Sequence, residues 1–301
     1  MKLEFMIGIG EAAAIAAAGV WAGSTILYKR FSHHLSPFEL NVSKGVIASA
    51  LMILCLLIAG DAMYPTLPSS WGWLIASGVL GIAIGDSAYF AALRNIGPAR
   101  TLVIESLAPA IAGILNIVLL DVYLSASAWL GIAVTTVGVM LAIKPSRSQP
   151  VLDKKHYLLG VCFALTAAIC QAAGMVLSKG ALNNESISSL WAALIRLGSG
   201  TLFVAFIVVY LKSQSLFKAL TLKQIDGKNW LFVAVFFGTF IGLWLQLISV
   251  NHTDPAIAQT IFATAPLMVM TIGLLRREAI TKSMMFGGLI ALAGVFLLLK
   301  G

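Results

Sequence analysis

Residues 73–86 read WLIASGVLGIAIGD and residues 230–243 read WLFVAVFFGTFIGL; residues 97–109 read GPARTLVIESLAP and residues 254–266 read DPAIAQTIFATAP. A single offset of 157 carries each first stretch onto its second, pairing Trp73 with Trp230, Gly81 with Gly238, Gly85 with Gly242, Pro98 with Pro255, Ile104 with Ile261 and Pro109 with Pro266. The same offset takes Gly131 to Gly288 and sets Asp121 opposite Glu278, a carboxylate in both copies. The matching residues are helix anchors and breakers, not interchangeable Leu and Val. Held at one spacing over roughly 60 residues, they mark an internal repeat. The chain is a duplication.

Composition sets the class of each copy. Of 301 residues 59% are hydrophobic and 11% charged, with a mean hydropathy of +0.96, whereas a soluble domain carries about 25% charge. Apolar runs near 20 residues recur from end to end, each long enough to cross roughly 30 Å of hydrocarbon. The sequence predicts an all-α integral membrane protein with helices near 8–28, 38–59, 72–94, 98–119 and 125–143, then near 157–179, 189–211, 229–250, 255–274 and 283–299. Residues 144–156, polar and carrying Pro145 and Pro150, form a linker between a first unit, 1–143, and a second, 157–301. The first apolar run lacks the basic leader and cleavage site of a signal peptide.

Five helices per copy is an odd number, so the second copy enters the membrane from the opposite side. The expected architecture is ten transmembrane helices as two inverted five-helix repeats, an arrangement typical of alternating-access transporters. Of twenty Lys and Arg, fifteen fall in loops after odd-numbered helices. By the positive-inside rule those loops, the linker included, are cytoplasmic and both termini lie outside. The net charge of +8 is therefore topology, and nucleic acid is excluded as a partner. Cys55, Cys162 and Cys170 lie inside apolar runs without metal-ligand spacing and read as packing residues.

Pro109 and Pro266 fall within predicted helices at equivalent places, where each removes a backbone hydrogen bond. Interruptions at matching positions of two halves point to a midplane binding site, and both prolines are hinge candidates. Glu105 shares a helix face with Pro109 and Asn116, within about 40° by helical geometry. A charged carboxylate at that depth costs about 2.5–3.5 kcal/mol, so it should face the bundle interior or a water cavity. It is the candidate for binding substrate or exchanging a proton, against a plain structural role. Asp86 and Tyr89 share a face of the third helix; Tyr89 aligns with Gln246, and Trp21 with Gln171. With Gln259 these side chains are candidates to line one aqueous cavity. Lys44 and Arg196, equivalent to each other, either meet anionic groups there or snorkel to an interface.

The run Gly85-Asp86-Ser87-Ala88-Tyr89-Phe90, then Gly97-Pro98-Ala99, Pro109, Asp121 and Gly131, resembles the EamA-type branch of the drug/metabolite transporter superfamily. Pro255-Ala256, Pro266, Glu278 and Gly288 repeat the pattern, with Glu278 conforming where Asp121 departs. The resemblance implies a basket-like permease of the plasma (inner) membrane with a central cavity. Its substrate would be a small metabolite, often an amino acid or related compound moved outward. It implies no cofactor, and the sequence shows no metal-ligand spacing; protons and membrane lipids are the other partners, the protein being a monomer or homodimer. The alternative is a flippase for a lipid or lipid-linked metabolite. An intramembrane enzyme is disfavoured because no His/Asp/Ser arrangement appears.

Overall fold

The computed structural model describes residues 8–31, 34–142, 154–210, 227–265, 267–268 and 282–300, and among them every regular element is helical. The first copy comprises α1 (Ile9–Phe31), α2 (Pro37–Ala59), α3 (Pro68–Ser77), a π-helical segment π1 (Gly78–Asp86), α4 (Ser87–Glu105), α5 (Ala108–Leu120) and α6 (Ala126–Ala142). The second comprises α7 (Lys154–Asn184), α8 (Ser189–Tyr210), α9 (Lys228–Ala234), π2 (Val235–Ile241), α10 (Gly242–His252), α11 (Pro255–Phe262) and α12 (Lys282–Lys300). Helix α7 begins at Lys154, so Lys154, Lys155 and His156 form a first helical turn instead of the end of a linker.

Local chemistry places the boundaries. Ser36 caps α2 by accepting from the Glu39 amide while Glu39 reaches back to the Ser36 amide, and Pro37 opens the helix. Gly60 closes it at φ 63°. Within α4 the chain changes direction at Gly97, whose φ of 77° suits a residue without Cβ, directly before Pro98. At the equivalent place Asp254 caps α11 by accepting from the Ala256 amide at 2.7 Å, with Pro255 in the first turn.

Helices α1, α2, α7 and α8, and the composites Pro68–Gly97 and Lys228–His252, are each long and apolar enough to cross a membrane; Ala108–Leu120, Ala126–Leu141 and Met285–Leu297 are shorter apolar helices. Their outer faces suit lipid more than water: Ile58 is 79% and Leu202 72% exposed. The copies interlock. Helix α1 packs on α10 and α7 on α4; α2 packs on π2 and α8 on π1; α1 packs on α11 and α7 on α5. Equivalent elements also meet each other, α2 with α8, α5 with α11, and α6 with α12. Each contact thus has a counterpart with the copies exchanged, which is the signature of a pseudo-two-fold axis through the bundle.

One end of the bundle is tied across the copies. Asn116 Nδ2 donates to both carboxylate oxygens of Asp254 at 2.7 and 2.8 Å. Thr253 donates to Glu11 at 3.0 Å. The Glu185 carboxylate accepts from the Thr66 amide, the Thr66 hydroxyl at 2.7 Å and the Leu67 amide, while Trp191 Nε1 donates to the Asp61 carbonyl. Partial desolvation alone would push the Glu185 carboxyl up; the hydrogen bonds from Thr66 and Leu67 outweigh it and hold it at about 2. A carboxyl lowered from its usual 4.5 to about 2 contributes stability above about pH 4.5 and loses it as pH falls towards 2. Glu185→Gln therefore melts below wild type near neutral pH, and the two melting curves converge on acidification through that window. Parallel curves at all pH values would show that the ionised carboxylate contributes nothing to the tie.

Candidate functional site

A proline lacks an N–H and crowds the carbonyl four residues earlier, which for Pro109 belongs to Glu105. Helix α4 ends there. The Ser106 amide donates to the Leu102 carbonyl and the Leu107 amide to that of Ile104, both at 3.1 Å, and α5 starts afresh at Ala108. Pro109 thus lies in the first turn of a new helix, not in the middle of one as the sequence reading expects, and the interruption falls just before it. The second copy does the same: α11 ends at Phe262, the Ala263 amide donates to Gln259 at 2.8 Å and the Thr264 amide to Ile261 at 3.0 Å. Pro266 itself lies outside the described residues.

The two interruptions border one cavity between the copies, with about 700 Å³ of space unoccupied by atoms, its open side included. Trp21, Asp86, Tyr89, Glu105, Gln171, Gln246 and Gln259, all singled out from sequence, line it together with Ser106 and Phe262. A smaller chamber of about 310 Å³ adjoins it, sharing Trp21, Asp86, Gln171 and Gln246 as a common wall and lined beyond them by Lys44, Gly238 and Thr239. Arg196 borders neither and stands behind Gln171.

Glu105 is half-buried, and among the described residues its carboxylate has no hydrogen-bond or ion-pair partner. Tyr89, on the same helix before its bend at Gly97, meets Trp21 of α1 with ring centroids 5.7 Å apart. The Tyr89 hydroxyl lies 3.2 Å from Thr25 Oγ1, whose own proton goes to the Trp21 carbonyl at 2.9 Å. Tyr89 is therefore the donor to Thr25, and its remaining lone pair is an acceptor. Across the cavity, Gln259 Nε2 donates to the Gln171 carbonyl at 3.5 Å.

The buried cations do not snorkel. Lys44 is ion-paired with Asp86 and lies 5.2 Å from the centre of the Phe90 ring. Arg196, fully buried, donates to Gln171 Oε1 at 3.2 Å and to the Met175 sulfur at 3.0 Å; its Nε–H has no acceptor among the described residues. A Cβ added at Gly81 would lie 2.7 Å from the guanidinium and one at Gly174 3.1 Å, so these glycines make the room it occupies. Arg196 backs onto π1 through Gly81, and Lys44 shares a chamber with Gly238 and Thr239 of π2, so equivalent cations flank equivalent π segments. Asn41 Nδ2 supports π1 by donating to the Ile82 carbonyl at 2.7 Å.

Sequence reasoning passed over Phe262, Ser106, Asn41 and Thr25. Phe262 was within reach, because adding 157 to Glu105 arrives at it. Asn41 and Thr25 carry no signal beyond being polar in an apolar run. Among the described residues no three His, Cys, Asp or Glu side chains gather as a metal site would.

Breaking a buried ion pair by removing one partner costs about 3–5 kcal/mol, whereas replacing both by apolar groups is often neutral. Lys44→Met should therefore lower thermal stability in detergent severely. Adding Asp86→Leu, the residue the second copy holds at Leu243, should recover most of the loss. A double variant no more stable than the single would show that the pair's charges are not what holds π1 to α2.

No curated protein matches the chain. A solved structure described only as the crystal structure of a protein superimposes with a TM-score of 0.76 at 16% identity, covering 96% of this chain and 95% of its own, which shows a shared fold. The sequence pattern of the EamA-like transporter family matches twice, over residues 8–144 and 158–300. With both copies matched over nearly their whole length, the chain belongs to the EamA-like transporter family.

Proposed function

We propose that this protein is a secondary transporter that exports a small metabolite, an amino acid or related compound, across the plasma membrane by alternating access. The observation that carries this reading is the cavity between the copies, bordered by matching helix interruptions at Glu105 and Phe262. Interrupted helices at the junction of repeats supply both a binding site and backbone able to change direction. In this scheme the units 1–143 and 157–301 are inverted five-helix repeats, ten helices in all, joined by a cytoplasmic linker, with both termini outside. Exchange of the two repeats' conformations moves the opening from one face to the other.

The roles follow from the contacts. Glu105 is the coupling carboxylate, because among the described residues nothing competes for its oxygens and it borders the cavity. Trp21, Asp86, Tyr89, Gln171, Gln246 and Gln259 contact the substrate. Lys44 and Arg196 hold Asp86 and Gln171 in place, and Pro109 and Pro266 set the hinges. A lipid flippase is less well supported: it calls for cations along a lateral groove, and these two are enclosed.

In proteoliposomes Glu105→Gln should fold and insert yet lose the pH dependence of flux, with turnover down at least about a hundredfold, the low end of what a general acid–base group contributes. The other charged or titratable side chains nearby, Asp86, Tyr89 and Lys44, are unchanged by this substitution. Wild-type pH dependence in the variant would remove Glu105 from the coupling role. A reporter fused to the C-terminus should be active outside the cytoplasm, and a cytoplasmic signal would reverse the orientation and with it the direction of export.

A further inference from the structure

The repeat permits a position-by-position comparison of the cavity's two walls. Under the offset of 157, Glu105 stands opposite Phe262, Tyr89 opposite Gln246, Leu102 opposite Gln259, and Asp86 opposite Leu243; Trp21 aligns with Gln171. All of these line the main cavity except Leu243, which lines the adjoining chamber. Both carboxylates and the Trp21–Tyr89 pair thus belong to the first copy, and all three glutamines to the second. A site that began symmetric has become polar, acidic and aromatic on one wall and amide on the other.

The available charges are fewer than the residue list suggests. Asp86 is neutralised by Lys44, which leaves Glu105 as the carboxylate of the main cavity without a partner among the described residues. Neither cation is free to take an anion, since Lys44 is committed to Asp86 and Arg196 lies behind Gln171. Arg196 instead fixes the orientation of the Gln171 amide: its N–H occupies Oε1, leaving Nε2 as a donor to the cavity. Gln259 is turned the other way, its Nε2 engaged by the Gln171 carbonyl and its Oε1 left as an acceptor.

Resting on the transporter reading and narrowing it, we propose that the cavity takes a protonated amine bearing an uncharged hydrogen-bonding group, the chemistry of an amino-acid amide, and not a free amino acid. The ammonium sits against Glu105 beside the faces of Trp21 and Tyr89, where a carboxylate and aromatic rings both favour a cation. The neutral end meets the donor of Gln171 and the acceptor of Gln259, which complement an amide's carbonyl and N–H. A substrate carboxylate would be stripped of water against glutamine amides with Glu105 nearby and no free cation among the described residues, an unfavourable exchange.

The test is a matched series on the purified full-length protein in detergent: phenylalanine, phenylalaninamide and phenethylamine, and the corresponding leucine and lysine compounds, with affinity read by thermal stabilisation. In at least one series the amide should bind at least tenfold tighter than the free acid, with the simple amine between them. Glu105→Gln should lose amide and amine binding alike. Gln259→Leu, which installs the first copy's residue, should erase the preference of amide over amine while the amine still binds. A free acid equal to or tighter than its amide in every series overturns the proposal, as does the absence of binding by any amide or amine. Flux in proteoliposomes separates the two claims: free acids carried without amide binding would sink this inference and keep the transporter, whereas amides bound but never carried would do the reverse.

Discussion

In hydrocarbon a backbone amide or carbonyl has no water to turn to, so helix can be interrupted only where protein or a water-filled cavity receives the freed groups. That constraint organises this molecule. Among the described residues each copy breaks its helix at an equivalent place, after Glu105 and after Phe262, and both breaks border the same cavity. The proline after each break explains why it recurs, and the cavity explains why it is tolerated. The surrounding helices then have to close around a polar centre, which accounts for the interlocking of α1 with α10 and of α7 with α4.

The same constraint governs the charges. Lys44 and Arg196 occupy equivalent places, yet among the described residues only the first has an acidic partner, Asp86 being replaced by Leu243 in the second copy. Arg196 instead donates to an amide and a thioether, its Nε–H without an acceptor among the described residues, and room for it is made by glycines on two neighbouring elements. One copy pairs its cation with a carboxylate; the other encloses its cation among an amide, a thioether and glycines. This division leaves Glu105 as the carboxylate of the main cavity without a partner among the described residues.

Much of this was legible in the chain. The offset repeat located the helices, and polar residues in apolar runs located the cavity wall, since Trp21, Asp86, Tyr89, Glu105, Gln171, Gln246 and Gln259 share one space. What escaped has physical reasons. The π segments Gly78–Asp86 and Val235–Ile241 differ from α-helix by one residue in the hydrogen-bond step, too little for an apolar pattern of seven to nine residues to reveal. Pro109 was placed correctly in sequence but wrongly in mechanics: a proline disturbs the turn before it, so the helix ends at Glu105. The pairing of Lys44 with Asp86, 42 residues apart, is decided by packing that no local pattern encodes.

The bond between Asn116 and Asp254 has a consequence for any cycle built on exchanging the two copies. Shifted by 157, Asn116 becomes Gly273 and Asp254 comes from Gly97, so the repeat-related positions are two glycines, which have no side chain to bond. The two halves of such a cycle are therefore not degenerate. A hydrogen bond to a carboxylate contributes about 1.5–3 kcal/mol, enough to favour the tied state roughly ten- to hundred-fold. Duplication alone would yield a carrier indifferent to direction. In the alternating-access cycle proposed above, a side-chain pair held at one of the two repeat-related places would give the empty protein a preferred resting state.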